Sequence, residues 1–191
     1  MKGIDSLRGL ILGALFVALM AVAGQIAIPI PPVPVTLQTL VVMLAGSVLG
    51  RRFGTLSMLV FILLAAVGVP VLSGGSAGLG VLMGPTAGFI WGWPLAAFLI
   101  GWMTEKSKNL NGVKLTIYHV VFGVILVHMT GVMWMWLGIG MDGRAALLAG
   151  SLPFIPGDIV KALLGSVIAL KLHKVLSVPG REKTVTGRGS F

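Results

Sequence analysis

Six apolar runs, at residues 8–28, 36–50, 54–72, 84–103, 115–138 and 157–175, leave this chain little choice of environment. A helix rises about 1.5 Å per residue, so about 20 apolar residues cross the roughly 30 Å hydrocarbon core of a bilayer. Backbone N–H and C=O groups at that depth must be paired within the protein, and apolar segments of this length achieve it as helices. Charged residues make up only 10% of the chain and hydrophobic ones 57%, whereas a soluble domain carries about 25% charged residues. These features predict an all-α integral membrane protein with six transmembrane helices in one compact bundle. The second run is short, and Pro29, Pro31, Pro32 and Pro34 before it cannot form regular helix. Residues 145–152 are too few to cross and are ended by Pro153 and Pro156, which predicts an interfacial helix or a loop that folds back.

The formal net charge of +9 could suggest nucleic acid. The basic residues, however, sit in pairs and triplets between apolar runs, with no basic stripe alternating with exposed aromatics. They report membrane orientation instead. With the N-terminus in the cytoplasm, every basic residue except Arg144 and Lys161 falls on the inner side, and both termini lie inside. Lys2 and Arg8 before an apolar stretch, with Ala21-Val22-Ala23 after it, resemble a cleaved leader. Several long runs follow, so residues 8–28 are expected to be a retained first span. Residues 1–176 are read as a single transmembrane domain. Residues 177–191, polar and aperiodic, are read as a disordered cytoplasmic tail. With no cysteine, thiolate metal sites and cysteine nucleophiles are excluded.

This topology collects three irregular segments on the outer side: the Pro-rich loop 29–35, the Gly-rich loop 73–85 and the turn 153–158. Non-helical backbone near membrane depth is tolerated where it lines a cavity, so their convergence predicts a covered ligand pocket. Ordinary connections remain the alternative. Asp158 and Lys161 stand at the mouth of the last run, where ionisable groups are costly and usually functional. Asp158 can cap the helix that begins there, with Lys161 neutralising it from the same face. Equally, the carboxylate accepts N–H donors and the ammonium donates to a carbonyl or carboxylate, as recognition of a small polar ligand requires.

Gly84-Pro85-Thr86-Ala87-Gly88-Phe89 opens the fourth run. Pro85 suits a first helical turn and Gly88 a close helix approach, while Thr86 and Phe89 would face the outer cavity. No Walker lysine follows any glycine cluster, so the chain cannot itself hydrolyse ATP. Ala14 and Ala18 form a small-residue face on the first run, suited to close approach of another helix in this bundle or in a partner. Trp102, Trp134 and Trp136 read as interfacial belt residues. Trp91 and Trp93 lie deeper, and one of them is a candidate cavity wall. His119 and His128 lack partners at metal-ligand spacing, so packing or hydrogen bonding is expected of them and no metal site is assigned. No carboxylate pair suits acid–base catalysis, so no catalytic residue is assigned.

Three segments, Pro32-Val33-Pro34-Val35-Thr36-Leu37-Gln38-Thr39-Leu40, Gly84–Phe89 and Pro156-Gly157-Asp158-Ile159-Val160-Lys161, together resemble the BioY family of biotin-binding S components of energy-coupling factor (ECF) transporters. The resemblance covers about residues 8–175, and Phe89 departs from it where an aromatic hydroxyl is expected. It implies the S-component fold and high-affinity capture of biotin from outside a prokaryotic plasma membrane. Biotin would be the transported ligand, and no cofactor is implied. Asp158 would accept from a ureido N–H, and Lys161 would donate to the ureido carbonyl or the carboxylate. Ser73, Gly74 and Gly75 would bind polar ends, with Thr36, Gln38, Thr86 and Phe89 as further contacts. It also implies a membrane coupling (T) subunit and ABC-type ATPase subunits as partners, docked through Ala14 and Ala18. The competing readings are an S component for another small vitamin, an intramembrane enzyme, and a membrane assembly protein without a small ligand.

Overall fold

The structure, a computed structural model, describes the backbone of residues 2–175 and the side chains of residues 6–175; the predicted tail 177–191 lies outside the described residues. The chain is helical nearly throughout, and each predicted apolar run coincides with helix. Helix α1 is Lys2–Gln25 and ends before the predicted residue 28. There Ala27–Ile28 (β1) pairs antiparallel with Val35–Thr36 (β2), in the register Ala27 to Thr36 and Ile28 to Val35. This short ladder gives the backbone around the Pro-rich loop hydrogen-bond partners that the loop itself cannot supply.

Helix α2, Gln38–Ala66, is broken at Gly50, whose φ of 77° and ψ of 178° are non-helical. A Cβ built on Gly54 would lie 2.6 Å from the Ala45 carbonyl oxygen. In a straight helix residues 45 and 54 stand about 13 Å apart. The two arms therefore fold back on each other, and the predicted second and third runs form a helical hairpin with Arg51 and Arg52 at its turn. Glu105 clasps that turn. Its Oε1 accepts from the Arg51 backbone N–H at 2.8 Å, and its Oε2 lies 3.2 Å from Arg51 Nε. The second arm stops at Ala66, short of the predicted residue 72. Gly68 takes a φ of 93° just beyond it, and Pro70 follows, the usual chemistry of a helix stop.

A tight turn at Ser73–Gly75 and the short helix α3, Leu79–Leu82, lead into α4, Ala87–Lys106. Helix α5, Gly112–Gly138, is capped by the Asn111 side chain, which accepts from the Lys114 N–H. It is wound more widely, in π-type turns, over His119–Leu126 and Trp134–Gly138. Helix α6, Gly143–Gly150, is capped by Asp142 and meets α7, Ile155–Val175, at a bend of 48°. The apolar segment read as interfacial or folded back is thus a short helix set at an angle to the last one.

Met20, Met43, Met58, Phe61, Ile100, Leu115 and Met135 are buried between helices, while Ile11, Leu15, Leu63, Ile125 and Val167 are exposed. With lipid outside as apolar as the core inside, close packing must hold the helices together. Gly101 shows how close. A Cβ there would lie 2.6 Å from both Arg51 Cα and the Gly50 carbonyl carbon, so α4 rests directly on the hairpin turn. Gly101→Ala is expected to cost about 1–3 kcal/mol by overpacking, read in detergent as a melting temperature lower by about 2–12 °C. A parent-like melting temperature would show that the turn is free to move off α4.

Candidate functional site

The Pro-rich loop, the Gly-rich loop and the α6–α7 turn meet at a cavity of about 400 Å³, within the size range of small-molecule sites. Its walls are largely apolar, with Val33, Leu72, Ile90, Val127 and Phe154 among them. Its polar groups converge from three helices.

Phe154 N–H closes a turn onto the Ser151 carbonyl at 3.0 Å, and α7 starts immediately after, at Ile155. Asp158 is therefore inside the first turn, its own N–H donating to the Phe154 carbonyl at 2.9 Å. This overturns its reading as the helix cap: the carboxylate turns away from the helix and takes three side-chain donors instead. Oδ1 accepts from Lys161 Nζ at 2.8 Å and from Thr39 Oγ1 at 3.0 Å, and Oδ2 lies 2.9 Å from His128 Nε2. Lys161 also donates to the Thr36 carbonyl at 2.7 Å and to Thr39 Oγ1 at 3.2 Å. The Asp158 and Lys161 side chains are only 5% and 12% exposed, so the pair sits largely out of water.

An ammonium has three donors, and here all three are used. A carboxylate has about four lone-pair positions, of which three are filled. The network is neutral for a neutral His128, tightly satisfied, and retains one acceptor position on Asp158. His128 is held over it by two rings, edge-on to Phe89 at 5.9 Å and stacked at 28° on Phe154 at 6.4 Å. Its Nδ1 is buried without a partner among the described residues, as is Trp93 Nε1. Both side chains line the cavity.

Of the residues singled out from sequence, Asp158, Lys161, Thr36, Gln38, Ser73, Thr86 and Phe89 line the cavity; Gly74 and Gly75 do not. Those two glycines take φ of 61° and 77°, and the Gly75 N–H is spent on the Leu72 carbonyl at 3.0 Å. Their conformational freedom serves the turn itself. Gln38 is 2% exposed, and its Nε2 donates to the Met20 carbonyl at 3.4 Å, tying α2 to α1. Trp93 is a cavity wall, whereas Trp91 is half exposed and donates to the Leu82 carbonyl at 3.1 Å. Trp134 is not a plain belt residue: its Nε1 donates to the Gly84 carbonyl at 3.0 Å and pins the turn before α4. Ala14 and Ala18 lie away from the cavity on the exposed face of α1, opposite the buried Phe16, Val17 and Met20.

Sequence reasoning missed the parts His128, Thr39 and Phe154 play here. Thr39 lies inside the singled-out segment Pro32–Leu40, one residue after Gln38, a position that could have flagged it. His128 is 30 residues from Asp158 on another helix, with no local signal.

The BioY family model matches residues 1–178. A probable biotin transporter BioY of Bacillus subtilis (strain 168) is 41% identical over 86% of this chain and 90% of its own length. A biotin transporter BioY of Thermotoga maritima is 37% identical over 88% of this chain and 98% of its own. The crystal structure of the S-component for biotin from an ECF-type ABC transporter superposes with a TM-score of 0.85 at 36% identity, covering 91% of this chain and 95% of that one. Sequence, fold and length agree across nearly the whole chain, which belongs to the BioY family.

Proposed function

We propose that this chain captures biotin as the substrate-binding S component of an ECF-type ABC transporter. The observation that carries the reading is the buried Asp158–Lys161–His128 network at the wall of an apolar cavity, in a chain of this family. Biotin joins a ureido ring to an apolar thiophane, and the cavity joins a polar cluster to apolar walls. In this reading the open acceptor position of Asp158 takes a ureido N–H, and Lys161 exchanges one of its three protein acceptors for the ligand. Phe89 and Trp93 supply aromatic walls. Thr36, Gln38, Ser73 and Thr86 shape the polar edges, and Gly74 and Gly75 act only through the turn they form.

The Gly50 hairpin supports six membrane crossings with both termini cytoplasmic, in the plasma membrane of a prokaryote. Residues 1–176 then form one transmembrane unit. Transport would need a membrane coupling subunit and ABC-type ATPase subunits, since this chain has no Walker lysine. The exposed small-residue face at Ala14 and Ala18 suits close approach of a partner helix.

Equilibrium binding of labelled biotin to the purified protein tests the reading. Saturable binding that riboflavin and thiamine do not displace is the expected result, and absence of saturable binding would sink it. Ala14→Trp with Ala18→Trp should abolish co-purification with the coupling subunit while biotin binding stays within about twofold, since both positions are remote from the cavity. Loss of both functions together would remove the docking role.

A further inference from the structure

Two arginines at the hairpin-turn end of the bundle, Arg8 and Arg52, lie away from the cavity. A Cβ on Gly9 of α1 would collide with the Phe53 ring, and the Ser57 hydroxyl donates to the Gly13 carbonyl at 3.1 Å. Both contacts join residues 44 apart, so α1 and the second arm of α2 run parallel, with Arg8 level with Arg52. Helical side chains lean toward the N-terminus of their helix. These two therefore lean toward the same membrane boundary, and both are exposed. Their neighbours are committed elsewhere. Glu105, the carboxylate at the turn, is spent on Arg51, and Lys114 Nζ donates to the Asn109 carbonyl at 3.0 Å. Arg8 has no hydrogen bond or ion pair to another described residue. The Arg52 guanidinium stands 5.6 Å over the Phe53 ring, a contact that holds the cation by its face and leaves its N–H donors free.

We propose that Arg8 and Arg52 form a binding site for the phosphate of an acidic phospholipid, which bridges α1 to the hairpin turn of α2. A guanidinium fork pairs with phosphate through parallel N–H···O bonds, and basic pockets between transmembrane helices take acidic headgroups. The surface beside the pair favours a lipid over a free anion. Leu7, Ile11 and Leu56 are exposed next to the two arginines, so acyl chains gain contact where inorganic phosphate gains only charge. Helix α1 packs chiefly on α2, and a phosphate held from both helices fixes the end of that one interface.

Melting of the purified protein decides it, in nanodiscs of phosphatidylcholine alone and of an equal mixture with phosphatidylglycerol. The acidic lipid should raise the melting temperature by about 4 °C or more. Arg8→Gln with Arg52→Gln should remove at least about three quarters of that rise, and in phosphatidylcholine alone the variant should melt within about 2 °C of the parent. Lys108→Gln with Lys114→Gln takes as many charges from the same end of the bundle and should keep the rise. Millimolar inorganic phosphate, added to the phosphatidylcholine discs, should not reproduce it. Biotin binding by the arginine variant should stay within about twofold of the parent, since neither residue lines the cavity. Equal loss in the two variant pairs would mean a diffuse attraction of basic residues to a negative surface, and would overturn the site. A rise that survives the arginine replacements, no rise at all, or the same rise from phosphate alone would overturn it too.

Discussion

Asp158→Asn is expected to weaken biotin binding about a hundredfold in a protein that still folds. The asparagine can keep much of the local geometry, because its carbonyl oxygen can accept from Lys161 and Thr39, which now meet Asp158 at 2.8 and 3.0 Å. Its amide can donate to His128 if that ring changes tautomer. Two things are lost. The free acceptor position facing the cavity becomes an N–H, the wrong polarity for a ureido N–H. The Lys161 ammonium also loses its counter-charge, so the cavity wall becomes positive. Loss of one charge-assisted hydrogen bond is worth about 1.5–3 kcal/mol, and about 2.7 kcal/mol corresponds to a hundredfold. The check is the dissociation constant of the purified variant beside its melting curve. A folded variant that binds like the parent would show that Asp158 only holds Lys161 in place.

That outcome is worth testing because the residues most legible in the sequence are not the whole site. Asp158 and Lys161 were conspicuous as charges at the edge of an apolar run, and their spacing of three put them on one helical face. The same local reasoning offered a helix cap, which failed because α7 begins at Ile155 and leaves Asp158 inside the first turn. His128 had no comparable signal: an imidazole in an apolar run is ordinary until the fold brings a carboxylate within 2.9 Å of it. Gly74 and Gly75 stand apart from the residues that line the cavity. Glycines beside serines suggested a ligand-binding loop, but their positive φ angles are spent on making the turn.

The fold was legible to a similar depth. Apolar length located the long helices but not α3, which lies inside the Gly-rich loop, and Arg51 with Arg52 marked the hairpin turn between the second and third runs. The helix ends at Gln25 and Ala66 were misplaced because they depend on β1–β2 pairing and on the Gly68–Pro70 stop. The contact of Gly101 with the Gly50 turn depends on tertiary packing and has no one-dimensional trace.

Lys161→Met, alone and combined with Asp158→Asn, separates stability from recognition. Methionine keeps an unbranched stem of similar reach, so packing is largely retained. The single replacement leaves the Asp158 carboxylate, 5% exposed, with only Thr39 and His128 beside it. Removing one partner of a buried ion pair costs about 3–5 kcal/mol, a melting temperature lower by roughly 6–20 °C in a chain of this size. Adding Asp158→Asn removes the stranded charge, so the double variant should recover most of that loss, as replacement of a whole buried pair often does. Biotin binding should not recover, because neither the acceptor on residue 158 nor the ammonium on residue 161 is restored. A coupling of about 2 kcal/mol or more between the two positions is expected for groups in direct contact. Additive stability losses would mean that each charge finds its own partner elsewhere. Recovered binding in the double variant would mean that the pair shapes the cavity without touching the ligand.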